Sequence, residues 1–218
     1  MKFLKGVTSI LNDDGKIFIG VPDSSKQLMI GDPALMNHAH WSYFTKESLV
    51  ETFNRVGLNN VCTKSSKSGA LYAWGKFGGK QFESNKPNYY DSCQVVKQFV
   101  NKLNNNIMLI SKWVKYQKKN NIKIALYGAS TGAANIYSLM NWEGVDVQLF
   151  DGDISKHGKY LPGCPLKIKP SSDLIKSGIN KIIILPISFA EEIKNHLVDD
   201  LKISDVIEIE TITSLIEK

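Results

Sequence analysis

The chain has little that would staple it, anchor it or carry it through a bilayer. Of 218 residues only three are cysteine: Cys62, Cys93 and Cys164. They are odd in number and far apart, and no pair has metal-ligand spacing. Reduced thiols in a cytoplasmic compartment are therefore expected, and no metal site. None of the three has the local signature of a nucleophile. The longest apolar run, Ile182 to Ile187 around Pro186, is far too short to span a membrane. The opening residues, Met1-Lys2-Phe3-Leu4-Lys5-Gly6, hold no long apolar core, so no signal peptide is expected. Arginine is nearly absent. The 27 basic residues include only Arg55, and against 21 acidic residues they leave a net charge of +6. A nucleic-acid reader usually favours arginine for bidentate base contacts. Scattered lysines, with short clusters at Lys112 to Lys119 and Lys167 to Lys169, read instead as a solvated surface with mild attraction for phosphates. Neither nucleic acid nor a membrane is expected as a partner.

What is present suits a globular protein. Hydrophobic residues make up 43% and charged residues 22%, and the length allows one large domain or two small ones with real cores.

The most informative stretch runs from Lys123 to Asn135. Ile124 to Tyr127 reads as a buried parallel strand, Gly128 to Gly132 as a tight turn, and Ala133 to Met140 as a helix. Such a turn points free backbone N–H groups and the positive end of a helix at whatever lies above it, commonly a phosphate. Asp151 follows 23 residues after Gly128, at the end of the next apolar strand, Val147 to Phe150. That is close to the spacing of about 20 at which a carboxylate meets a ribose hydroxyl. A strict G-x-G-x-x-G is absent because position 130 is serine. Turn geometry and close helix–sheet packing explain the glycines equally well.

The remaining elements follow in order. Phe3 to Leu11 has helical spacing, Asn12 to Gly15 is a turn, and Lys16 to Val21 is a strand ended by Pro22. Residues 23–37 read as a loop. His38 and His40 precede a helix capped by Thr45 and ended by Gly57. Either histidine suits a general base, since imidazole titrates near working pH; loop histidines bonded to backbone are the plainer reading. Leu58 to Thr63 and Leu71 to Phe77 form an antiparallel pair. Gly78 to Asn88 is polar and reads as a linker. A helix capped by Asp91 runs to Lys119, with Val95, Val96, Phe99, Leu103, Met108, Leu109, Trp113 and Tyr116 as its buried side and a weak middle at Asn104-Asn105-Asn106. Beyond Asp151, a loop leads to a short helix from Ser171 to Lys176 and a strand from Lys181 to Leu185. A capping box at Ser188 and Glu191 opens a helix to Leu197, and Val206 to Ile209 forms a fourth strand. Alternating strands and helices imply a small parallel sheet. Gly128, Ser130, Asp151, Pro186 and Ser188 converge beyond its carboxyl ends, where ligands of such sheets sit.

Most of the chain also resembles a known family. Asn12 to Pro22, and His40-Trp41-Ser42-Tyr43-Phe44-Thr45-Lys46-Glu47-Ser48-Leu49 through Gly57-Leu58, are similar to the last third of a class I S-adenosylmethionine-dependent methyltransferase domain. Residues 122–198 resemble the C-terminal domain of sugar C-methyltransferases, which act on nucleotide-linked keto-deoxysugars. Tyr127 to Gly132, Asp151 to Lys156, Gly158-Lys159-Tyr160-Leu161-Pro162-Gly163 and Leu185-Pro186 carry that match. The resemblance implies an α/β fold: a truncated class I methyltransferase segment at 1–77, a linker and bridging helix at 78–120, and a Rossmann-like domain at 121–218. It implies His40 as the base beside the keto group, with Tyr43 as its neighbour. The family commonly reads His-Glu-His there, whereas this chain has His38-Ala39-His40. It implies a substrate side formed by Gly128, Ser130, Thr131, Gly132, Asp151, Lys159 and Ser188. The family's glycine-rich cofactor loop, its acidic ribose ligand and its cysteine-rich zinc unit have no counterpart in these residues. S-adenosylmethionine, the cofactor of the complete family enzyme, is therefore not expected to bind this chain unaided, and a separate chain supplying the missing half is an expected partner. The two readings that follow are a partial nucleotide-sugar C-methyltransferase and a non-catalytic nucleotide-sugar binding module. A generic α/β scaffold for protein contacts is a third.

Overall fold

Burial alternates along Lys16–Pro22, with Ile17, Ile19 and Val21 on the more covered side, and that alternation orients the first sheet. A computed structural model of the protein describes residues 2–36, 40–78, 89–203 and 207–216. They fall into two units, Met1–Ile30 with Ala39–Val100, and Gly31–His38 with Asn101–Lys218.

The first unit contains α1 (Lys2–Thr8), β1 (Lys16–Pro22), α2 (Ser25–Ile30), α3 (Lys46–Asn54), β2 (Leu58–Ser65), β3 (Ala70–Phe77) and the start of α4 (Tyr89–Lys119). The strand order is β1-β3-β2, with β3 antiparallel to both neighbours. One face of this sheet is covered. Ile17, Leu58, Leu71 and Ala73 pack with Leu4 of α1 and with Leu49, Phe53 and Val56 from α3 and its end. Helix α3 starts as expected. Thr45 and Ser48 cap each other: each hydroxyl accepts the other's backbone N–H. The expected loop at 23–37 instead contains α2, which Asp23 opens by accepting the Ser25 N–H. Six residues are too few for a helical period to show in sequence.

The second unit contains β4 (Ile124–Tyr127), α5 (Thr131–Leu139), β5 (Val147–Asp151), β6 (Ile168–Pro170), β7 (Lys181–Ile184), α6 (Ala190–Asn195), β8 (Glu208–Thr211) and α7 (Ile212–Ile216). All five strands are parallel in the order β6-β5-β4-β7-β8. This is a Rossmann-like α/β domain. Strand β4 is buried throughout, and Ile182, Ile183 and Ile184 of β7 are buried too. Apolar runs of this kind belong to a parallel sheet covered on both faces. Strand β6 was not expected, because three residues in a lysine-rich stretch give no strand pattern. The last strand sits two residues later than read, and Val206 lies outside the described residues.

Two further expectations are corrected. The capping box at Ser188 does not form. Ile187–Phe189 already turns as a 3-10 helix, so Ser188 lies inside a turn and not before one, and α6 begins without a side-chain cap. Helix α4 starts at Tyr89, ahead of Asp91, and its buried line differs from the one read. Phe99, Asn106, Ile110, Val114 and Gln117 are buried, whereas Val95, Val96, Met108 and Tyr116 are exposed. The asparagine run does not break the helix. Asn106 is buried and its amide donates to the Gly31 carbonyl at 2.9 Å.

That bond ties down Gly31–Met36, a strap grouped with the second unit. Asp32 is buried and its carboxylate accepts the Ala34 N–H. Leu35 is buried, and the Asn135 amide of α5 donates to the Met36 carbonyl. The expected linker at residues 79–88 and His38 lie outside the described residues.

Candidate functional site

The chain lays down β4, adds β5 and β6 on one side, then returns to place β7 and β8 on the other. The order therefore reverses between β4 and β7. In open α/β sheets ligands bind beyond the carboxyl ends of the strands at such a reversal. The residues there are Gly128 to Gly132, after β4, and Leu185 to Phe189, after β7.

The two loops meet. Gly128 has φ +101°, and a Cβ on it would lie 2.5 Å from the ring carbons of Pro186. Glycine is needed for the left-handed turn and for this approach. Ser130 is extended, and its Oγ accepts the Ala133 N–H at 3.3 Å to open α5. A Cβ on Gly132 would lie 2.8 Å from the Ala34 Cβ of the strap. Each glycine thus has a packing partner within the unit. Ser130 and Thr131 remain exposed, and the first-turn N–H groups of α5 have no partner within the helix.

Asp151 is buried and heavily used. Its Oδ2 accepts the Ala129 N–H at 2.7 Å and the Lys156 ammonium at 3.0 Å. Its Oδ1 accepts the Asp153 N–H at 2.8 Å. A carboxylate offers about four acceptor directions, so three of them are committed to the protein. The expected ribose contact competes with these donors. The Asp151 carbonyl accepts from His157 Nε2 at 2.8 Å. Below it, the Tyr127 hydroxyl bonds the Ser171 hydroxyl at 2.7 Å. Burial pushes the Tyr127 phenol up, the bond from Ser171 opposes this, and the Asp151 charge adds to the rise. Asp153, at the loop's exposed corner, is held below the usual carboxylate range by the Ser155 hydroxyl and N–H.

The Gly158-to-Gly163 motif forms a short ribbon against β6. Gly158 N–H bonds the Ile168 carbonyl, Ile168 N–H bonds the Lys159 carbonyl, and Tyr160 bridges Lys167. Lys159 is exposed and has no ion pair among the described residues. Ser188 is exposed on the 3-10 turn after β7.

The structure therefore gathers Gly128, Ser130, Thr131, Gly132 and Asp151 around one turn, with Ser188 on the loop packed against it. Lys159 stands on the ribbon after β5. His40 and Tyr43 belong to the first unit. His40 is exposed, and its ring meets that of Tyr43 edge-on with centroids 6.2 Å apart. Sequence reasoning gave no role to Lys156, His157, Tyr127 or Ser171. The Asp151-to-Lys156 spacing was the available signal, since five residues allow a side chain to fold back on the strand end.

The described residues do not fit S-adenosylmethionine. The first unit has no strand followed by a glycine turn and helix. In the second, the glycines of that turn are packed closely, Gly128 against Pro186 and Gly132 against Ala34. No group of three or more His, Cys, Asp or Glu among the described residues is placed to hold a metal ion. No described helix is long and apolar enough to cross a membrane.

Residues 80–202 match the family described as the C-methyltransferase C-terminal domain. A comparison with curated proteins finds no match.

Proposed function

The chain belongs to the C-methyltransferase C-terminal domain family, and from that premise we propose that it is the acceptor-side part of a C-methyltransferase. Its second unit holds a nucleotide-linked keto-deoxysugar, and its first unit supplies the base. The observation that carries this reading is the order reversal at β4 and β7, where Ser130, Thr131 and Ser188 stay exposed. A diphosphate there accepts hydrogen bonds from the first-turn N–H groups of α5 and the Ser130 and Ser188 hydroxyls. Lys159, exposed on the ribbon after β5, is the cation assigned to that diphosphate. Proton removal from the carbon beside a keto group needs a base, and the His40 imidazole beside Tyr43 is assigned that role. The described residues are not expected to bind S-adenosylmethionine unaided, and the methyl donor's site is supplied by residues other than these.

The test is thermal. Saturating thymidine-diphosphate sugar, at about a hundred times its Kd, stabilises the native state by about 2.7 kcal/mol. That is a rise of several degrees in Tm. No shift across a panel of nucleotides and nucleotide-sugars overturns the reading. Calorimetry with S-adenosylmethionine is expected to be silent, and clear binding would overturn the division of labour.

A second reading, a non-catalytic nucleotide-sugar binding module, draws on the lack of fit for S-adenosylmethionine. It is favoured if the sugar binds and His40→Ala leaves every measurable property of the assembled system unchanged.

A further inference from the structure

Asp151 sets a difficulty for any anion at the start of α5. Its carboxylate accepts the Ala129 N–H at 2.7 Å, two residues before the helix begins at Thr131. The positive end of that helix therefore has a negative group of its own beside it. A carboxylate there does for the helix what a phosphate would do, and the two anions repel. The donors are also partly committed. The Ala129 N–H goes to Asp151 and the Ala133 N–H to Ser130. Thr131 and Gly132 keep the first-turn N–H groups that can face a ligand. They serve an anion only if the charge beside them is offset.

Lys156 offsets it. Its ammonium lies 3.0 Å from Asp151 Oδ2, the same oxygen that holds Ala129. The loop between the two residues is folded to bring it there. The Asp153 N–H bonds Asp151 Oδ1 at 2.8 Å, and the Ser155 N–H bonds Asp153 Oδ1 at 2.9 Å. The Lys156 N–H bonds the Asp153 carbonyl at 3.0 Å and closes a 3-10 turn. His157 then reaches back to the Asp151 carbonyl. Bonds on both sides of Lys156 thus return it to the strand end that the chain has just left. The Asp151 side chain is 10% exposed and that of Lys156 39%. The pair is therefore screened less than one in open water. Among the described residues no other cation pairs with Asp151.

We propose that Lys156 is a positioning residue for the diphosphate of the nucleotide-sugar: held on Asp151, it cancels the carboxylate's charge and so leaves the Thr131 and Gly132 N–H groups able to take an anion. It touches Asp151 and not the ligand. Asp151 is then a brace for the Gly128 turn and not a ribose contact. This rests on the reading of the second unit as the acceptor side and adds the charge that this reading needs.

Two probes test it by calorimetry on the full chain, a thymidine-diphosphate sugar and inorganic pyrophosphate. Lys156→Met should weaken both by about tenfold or more, and Lys156→Gln, which keeps a hydrogen-bond donor without the charge, should do the same. Lys156→Arg should stay within about threefold of the unaltered chain. The double variant Lys156→Met, Asp151→Asn lacks both charges, and its affinities should return to within about threefold. Lys118→Met removes the same charge beside Gly144, near the amino end of β5, and should change neither affinity. Amide exchange at Ala129 should be as slow in Lys156→Met as in the unaltered chain, because Asp151 still accepts from it.

Unchanged binding by Lys156→Met overturns the proposal. So does a double variant as weak as the single one, which would put the ammonium on the ligand itself. Fast exchange at Ala129 in Lys156→Met also overturns it, since the loss would then be one of turn structure. Should the double variant not fold, the Gln and Arg variants and the Ala129 amide carry the test. The nucleotide-sugar reading fails separately. Pyrophosphate binding that depends on Lys156, with no binding of the sugar, sinks that reading and leaves this one. Equal binding of the sugar by every variant does the reverse. Silence from both probes on the unaltered chain removes the anion site and overturns both.

Discussion

Phe18 and Phe150 both sit in the middle of a strand, yet Phe18 is 65% exposed and Phe150 is fully buried. The difference lies in how each sheet is finished. The second unit's parallel strands are covered on both faces. Its core joins Ala125, Phe150, Ile182 and Ile184 of the strands to Leu174, Leu197 and Ile203 of the connections. Its loops close on each other through Gly128 and Pro186. Among the described residues, the first unit's antiparallel strands are covered on one face only, and no described strand pairs with the outer edge of β1. A sheet made by crossovers brings its own covering layers, because each crossover must pass over a face. A sheet made by a hairpin and a returning strand does not, and its second face depends on something else.

Three measurements test that contrast. The largest effect belongs to the covered face of the first sheet. Phe53→Ala should cost about 3–5 kcal/mol in the denaturation midpoint, the usual cost of emptying a buried phenylalanine site. Phe18→Ala should cost less than about 0.5 kcal/mol, as at an ordinary surface site. A similar loss from both would mean that the outer face is packed in solution. Next is the closure of the second unit. Gly128→Ala adds left-handed strain of about 1–2 kcal/mol and a clash with Pro186 of similar size, so about 3 kcal/mol is expected. A cost below about 1 kcal/mol would show that the two loops do not hold each other.

The smallest effect is in acid. Burial opposes ionisation of Asp23, but hydrogen bonds from the Ser65 hydroxyl and from Ser25 outweigh it and hold the carboxyl below 3.8. A lowered folded-state pKa contributes stability above the unfolded value and loses it as pH falls through the folded one. The first unit should therefore weaken below about pH 4, and Ser65→Ala should shrink that acid-dependent loss, with an effect at neutral pH under about 1 kcal/mol. The second unit titrates at the other end. Burial raises the Tyr127 phenol above 10.0, so its contribution is present at neutral pH and fades only in alkali. Equal acid sensitivity of the two units, followed by probes in each, would erase the distinction.

Much of this was legible beforehand because it rests on local rules. The run Ile124 to Tyr127 before a glycine, the Thr45 cap and the β2–β3 hairpin each follow from residues close in sequence. What escaped depends on distant partners. Asn106 reads as a weak point in a helix until the Gly31 carbonyl accepts from it, 75 residues away. Gly132 reads only as part of a turn until Ala34 is placed against it. Asp151 reads as a ribose ligand by spacing alone, and only the fold shows Ala129, Asp153 and Lys156 on its oxygens. The glycine turn was read at the right place but two residues too long, since α5 already begins at Thr131, and its neighbours could not be read at all. Ser188 reads as a cap because its spacing to Glu191 is right, and it fails because Pro186 and Ile187 start the turn earlier.

The strap at Gly31–Met36 has a consequence for how the chain is made. It leaves the ribosome well before the helices that receive it. Met36 meets Asn135, 99 residues later, and at 5–20 residues per second that is a wait of roughly 5–20 s. Through that interval the Met36 carbonyl lacks its Asn135 partner, although α3 and the β2–β3 hairpin have already been synthesised. The second unit is thus begun before the first is finished and completed long after it. Cutting the gene between residues 78 and 89 would not release it whole, because its earliest piece would stay with the other fragment.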